Sequence, residues 1–205
     1  MKTFKCILIL FAFAGLILIG CSDKSQSPVS PTDQSINQPG SLEKKIVREF
    51  SGPGDPQEIT DPGTTKVIKG KTILRGMHNR VLVSVSFKGS GTDLFSGEGD
   101  LELNAIIDGA AGVGQWWGTL KLTPKAPEAR GGHWNLIWYG KATFNPTAWN
   151  GGPGWILPLK EFGYGKGGAL TGLYCDADVM ITAPLDLTWW HGEYHGYIKS
   201  LFCCR

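Results

Sequence analysis

The stretch WWHGEYHGY, Trp189 to Tyr197, sets two histidines and a glutamate at alternate positions among aromatics and glycines. Side chains that could ligate a metal are thus spaced for one face of a strand: His191, Glu193 and His195 on one side, Trp190, Gly192, Tyr194, Gly196 and Ile198 on the other. At about 3.3 Å per residue the two histidines lie roughly 13 Å apart, with side chains nearly perpendicular to the sheet. Zinc draws its nitrogens to about 2.0–2.1 Å, so one ion cannot collect both. A two-ligand bite from Glu193 with either histidine would need a third group from elsewhere, such as His133 or His78. A helix would bring the two histidines together, but Gly192 and Gly196 amid aromatics oppose one. A solvated polar face is the expectation, and no cofactor is expected.

Other catalytic patterns are few. The row Glu98, Asp100, Glu102 offers carboxylates about 6.6 Å apart on a strand, a spacing compatible with glycoside hydrolysis, yet nothing around it signals the burial that would raise one pKa. There is no Gly-x-Ser-x-Gly elbow, no phosphate loop, no H-E-x-x-H and no paired C-x-x-C. The lysine of GYGKGG lacks a following hydroxyl residue, and the segment reads as a turn. The aromatics are more informative. Trp116, Trp134 and Trp138 fall on apolar rows and belong to a core, whereas Trp149 and Trp155 flank NGGP, and Trp117, Tyr139, Trp189 and Tyr197 fall on polar rows. Exposed rings mark contact surfaces, because they offer flat apolar faces with little entropy to lose. Trp149, Trp155, Trp117 and Tyr139 are therefore the candidate ligand-binding residues.

The elements that must position these groups are strands. From Lys66 onward the apolar pattern has period two, and glycines interrupt every window where a helix would otherwise fit. Strands are predicted over 66–75, 80–88, 97–107, 113–123, 133–145, 169–182 and 187–199, with a shorter piece near 156–162. Turn signals separate them: KGSGTD, DGAAGVG, TPKAPEARGG, WNGGPGW and APLD. Leu101, Leu103, Ala105 and Ile107 alternate with Glu98, Asp100, Glu102 and Asn104. Trp116, Leu120 and Leu122 form a second apolar row, Trp134, Leu136, Trp138 and Phe144 a third, and Leu173, Cys175, Ala177, Val179 and Ile181 a fourth. One buried and one wet face per strand suits an all-β antiparallel barrel of about seven or eight strands, with a sandwich as the alternative. Glycines within strands, such as Gly97, Gly99, Gly118 and Gly140, permit sharp coiling or close packing beneath Trp rings.

The runs GHWNLIWYGKATF and GYGKGGALTGLYCDADV resemble bacterial secreted proteins with Gly-Xaa-Trp repeats, whose pattern is similar to small barrels of the allene oxide cyclase-like kind. The resemblance covers roughly residues 87 to 200 and implies a barrel. Its motifs are glycines and aromatics, so it transfers no catalytic residue.

The front of the chain carries a different message. Lys2 and Lys5 precede an apolar run from Ile7 to Ile19 that is too short and wrongly flanked for a membrane span and ends in Leu18-Ile19-Gly20-Cys21. That ending resembles the lipobox of bacterial lipoproteins, which implies cleavage before Cys21 and acylation of its thiol. A multiply acylated cysteine gives stable anchoring. Ser22 rather than aspartate follows it, so by the sorting rule of such lipoproteins the outer membrane is favoured over the inner. Residues 21–43 then read as lipidated cysteine and linker, polar and rich in Pro and Ser, with a reach on the order of 25 Å. The barrel domain is expected over 44–205.

Removing residues 1–20 deletes two lysines and no acids, so the formal charge falls from 20 − 18 = +2 to 18 − 18 = 0. A neutral domain has no electrostatic footprint for nucleic acid. Cys175, Cys203 and Cys204 would meet an oxidising compartment, and one disulfide from Cys175 to Cys203 or Cys204 is expected. The functional expectation is a lipid-anchored envelope barrel that binds a glycan, a small apolar ligand or a partner through aromatics. Its alternatives are a metal-assisted or cyclase/isomerase-like barrel enzyme and a purely structural envelope protein.

Overall fold

The computed structural model describes residues 47–187 and 189–201. The signal, Cys21, the linker, Cys203 and Cys204 lie outside the described residues. Ten strands form one antiparallel sheet: β1 (Val47–Asp61), β2 (Thr64–Ile68), β3 (Lys71–Val83), β4 (Ser86–Phe87), β5 (Gly97–Asp108), β6 (Val113–Pro124), β7 (His133–Trp149), β8 (Gly152–Lys166), β9 (Leu173–Pro184) and β10 (His191–Ser200). Eight of them close a ring in the order β1-β3-β5-β6-β7-β8-β9-β10, and β10 returns to β1. The expected barrel is therefore present.

Closure depends on β1. Its first half, Val47 to Gly54, pairs with β10, and its second half, Gly54 to Asp61, pairs with β3. Sequence reading began the domain's strands at Lys66 and missed this element, because Gly52, Pro53, Gly54 and Pro56 read as breakers. Register shifts between Pro56 and Glu58 and between Ile59 and Asp61 let the ladder continue beyond the prolines. The expected strand 66–75 is in fact a hairpin, turned at Lys69–Gly70 with both residues at positive φ. Asn150–Gly151 makes the same kind of two-residue turn between β7 and β8, so β8 runs the full length of the ring rather than the short piece expected.

The alternation holds where it was read. Leu101, Leu103, Ala105 and Ile107 of β5, Trp116, Leu120 and Leu122 of β6, and Trp134, Leu136 and Trp138 of β7 are buried in one continuous core. Phe144 departs from its row: it is 42 % exposed because β7 continues beyond the end of the ring, where its ring meets Trp155 edge-on at 6.2 Å. At Gly118 an added Cβ would stand 1.8 Å from the Glu102 carbonyl oxygen and 2.8 Å from Trp138 Cζ2, so the sheet bends under that indole only because no side chain is there.

The two ends of the ring differ. At one, the loop before β5 inserts Phe95, fully buried, which stacks on Phe50 at 4.6 Å and packs against Trp134. Trp134 Nε1 donates to the Leu94 carbonyl at 2.8 Å, which fixes this plug. At the other, Leu74, Met77, Ile107 and Trp155 floor a mouth of about 460 Å³, bordered by Pro62, Thr65, Thr72 and residues 185–187.

Candidate functional site

The outer wall brings together residues far apart in sequence. Trp117 on β6 lies opposite Tyr139 on β7, Tyr139 opposite Lys160 on β8, Lys160 opposite Asp178 on β9, and Asp178 opposite His195 on β10. Five strands thus contribute one outward residue each to a single belt, which at about 4.8 Å per strand spans roughly 19 Å. The belt runs through an open groove of about 750 Å³, to which Gln115, Lys141, Pro158 and Met180 also contribute.

One end of the belt is aromatic. Tyr139 is 53 % exposed and meets Phe162 edge-on at 6.2 Å, while the Arg75 guanidinium stacks 4.5 Å from the centre of a Trp117 ring. The other end is charged and fixed. Lys160 Nζ lies 3.0 Å from both Asp176 Oδ1 and Asp178 Oδ1. The hydrogen bond to Asp178 and then that to Asp176 raise the Lys160 pKa far above the usual lysine value, so its ammonium is retained at every physiological pH.

Of the four aromatics expected to face a ligand, Trp117 and Tyr139 share this groove. Trp149 is half-buried at the β7–β8 hairpin. Trp155 is a correction: it is buried, because it shares the inward row of β8 with Leu157 and Leu159, and it lines the mouth from within. Trp189 is exposed, as its row predicted.

His191, Glu193 and His195 do share the outer face of β10, but only the first two meet. His191 Nδ1 lies 2.6 Å from Asp55 Oδ1 and its Nε2 lies 2.9 Å from Glu193 Oε1, both within hydrogen-bonding distance. These contacts, Asp55 first, raise the His191 pKa, and they engage both of its ring nitrogens. The third partner is Asp55 rather than His78 or His133. Asp55 stands where β1 passes from β10 to β3, so the trio is an ionic clamp across the seam that closes the ring. Among the described residues no three His, Cys, Asp or Glu side chains are arranged to hold a metal ion. The carboxylates Glu98, Asp100 and Glu102 face outward and are engaged by Lys125, His78 and Thr119 respectively.

The interior carries a group that sequence reading missed. Glu161 on β8 is 2 % exposed, and burial pushes its carboxyl pKa up to about 8. It lines a small cavity of about 20 Å³ together with Trp116, Trp138, Trp190 and Tyr194. The signal was present in LPLKEFG: alternation places Glu161 in line with Leu157 and Leu159. Cys175 is a fully buried thiol on the inner face of β9 with no disulfide partner among the described residues, its pKa raised first by burial. Its expected partners, Cys203 and Cys204, are outside the described residues.

The fold and its surface define a closed antiparallel β-barrel with a plugged end, an open mouth and an aromatic-to-charged belt on its outer wall. The chain matches no family model, no curated protein and no solved structure.

Proposed function

We propose that the protein is a lipid-anchored cell-envelope binder that takes an oligosaccharide along the belt Trp117–Tyr139–Lys160–Asp178–His195. The observation that carries this reading is the ladder itself: adjacent rings, then a fixed ammonium and carboxylate, at one level across five strands. A sugar ring lays its C–H face on an aromatic surface, while its hydroxyls both donate and accept, which suits a paired Lys160 and Asp178. The near neutrality of the chain after residue 20 fits an uncharged glycan better than a polyanion. The length of the belt suits several linked sugars rather than one. Anchoring rests on the lipobox-like Leu18–Cys21, with the outer membrane favoured because Ser22 follows the cysteine.

A second reading is a small apolar ligand in the mouth. Its support is the pocket floored by Leu74, Met77, Ile107 and Trp155, within the size range of small-molecule sites. An enzyme acting in the barrel interior has less to work with, since the cavity beside Glu161 is too small for an organic substrate.

Titration of the purified full chain with neutral envelope-derived oligosaccharides, followed by calorimetry, tests the main reading. Binding is expected, and the double variant Trp117→Ala/Tyr139→Ala should lose at least about tenfold in affinity, or about 1.4 kcal/mol. Absence of binding, or equal binding by the variant, would refute the belt. Equal binding by that variant with loss in Trp155→Phe would move the site to the mouth.

A further inference from the structure

The sheet has an open edge at β2. Thr64 to Ile68 pair with β3 alone, end to end with β1, which holds the same edge of β3 from Gly54 to Asp61. The strand on the far side of β1 is β10, and its pairing reaches no further than Gly54. Every second residue of β2 turns its N–H and C=O away from β3, where among the described residues no strand lies beside it. All five residues are exposed, Val67 by 71 % and Ile68 by 50 %, and all but Lys66 are β-branched. An edge of this kind is a template for one more strand.

An apolar recess lies beside it. Thr65 borders the mouth of about 460 Å³ that Leu74, Met77, Ile107 and Trp155 floor. A strand laid along β2 would send alternate side chains to the two faces of the sheet. One set would stand next to Thr65 and Val67 on the side of the mouth, and the other next to Thr64, Lys66 and Ile68. Recognition by strand addition uses these two parts together: a backbone edge supplies affinity, and a pocket for alternate side chains supplies specificity.

Charge selects the occupant. Lys66, Lys69 and Lys71 fall within six residues, and among the described residues only Lys71 has an ion-pair partner, Asp108 at 3.7 Å. A second copy of β2 would bring the same lysines against these, and like charges across a strand pair oppose pairing. An acidic strand meets Lys66 with the opposite sign. We propose that the β2 edge and the mouth beside it bind an extended peptide segment of a partner protein, in which apolar side chains for the mouth alternate with acidic ones for Lys66. The mouth then seats a side chain rather than a free small molecule. This inference is independent of the outer belt and stands whether or not a glycan binds there.

The test titrates the ¹⁵N-labelled full chain with the end-blocked hexapeptide Val-Glu-Val-Glu-Val-Glu, reading affinity and amide shifts. Binding is expected, with shifts over Thr64 to Ile68, and replacing the glutamates by lysines should weaken it at least about threefold. Lys66→Glu, at an exposed position, should invert that preference. A bound strand should also slow hydrogen exchange at alternate β2 amides, those that face away from β3, which adhesion of side chains alone would not do. No binding at about 1 mM peptide, equal affinity for the lysine peptide, or unchanged exchange at those amides overturns the inference. Binding of anionic phosphatidylglycerol vesicles, lost in Val67→Asp and with no response to the peptide, would overturn it in favour of a lipid surface.

Discussion

Lys160 and Glu161 are neighbours in the chain, yet the barrel wall treats them oppositely. Lys160 points outward, where two carboxylates at 3.0 Å keep it charged. Glu161 points inward, where burial without a countercharge keeps it protonated up to about pH 8. The outer wall keeps its charges by pairing them across strands, and the core tolerates its acid by neutralising it. An outer surface of paired charges can therefore sit one residue away from an apolar interior.

The largest expected effect lies on the inner side. Trp134 is fully buried and anchors the plug through its bond to Leu94, so Trp134→Ala should cost about 3–5 kcal/mol in urea unfolding, whereas truncating an outer ring such as Tyr139 should cost under about 1 kcal/mol. Equal costs would erase the contrast between the two faces.

Next comes Glu161. Its folded pKa, about 8, is raised above the ordinary carboxyl value of 4.5. Unfolded chains release this proton at lower pH than folded ones, so its contribution to stability is fully present below about pH 4.5 and falls as pH rises through 8. Glu161→Gln should thus be close to neutral near pH 4 and stabilising, by a few kcal/mol, at pH 9. Unfolding curves at the two pH values check this, and a variant that is no more stable at pH 9 would show that the acid is not held neutral.

The smallest effect belongs to the seam. His191 has its pKa raised by Asp55 and then Glu193, so the clamp's stabilisation is present in full below the ordinary histidine pKa of 6.5 and is lost as pH rises through the elevated one. All three side chains are substantially exposed, which limits the gain to under about 1 kcal/mol. Asp55→Asn should flatten the pH dependence of stability above pH 6.5, and a slope identical to that of the unmodified chain would contradict the assignment.

These contrasts also show what the sequence could and could not reveal. Period-two alternation assigned the inner rows of β5, β6, β7 and β9 and put His191, Glu193 and His195 on one face, because alternation is a property of each strand alone. The belt was invisible for the opposite reason. Trp117, Tyr139, Lys160, Asp178 and His195 align only through the register of four strand pairs, which no local pattern encodes. β1 was hidden by prolines that a strand shared between two partners can place at its irregular points. Trp155 and Glu161 were legible in principle, but only once β8 is recognised as a full-length strand, and the NGGP beside Trp155 suggested a loop.

The most direct test of the central claim reads both faces in one spectrum. Tryptophan indole resonances of the ¹⁵N-labelled full chain, assigned by substitution, would be followed during titration with a bound envelope oligosaccharide. The account predicts that the Trp117 signal shifts while those of Trp116, Trp138, Trp155 and Trp190 stay in place. Shifts confined to Trp155 or to the interior tryptophans, with Trp117 unmoved, would contradict recognition on the outer wall.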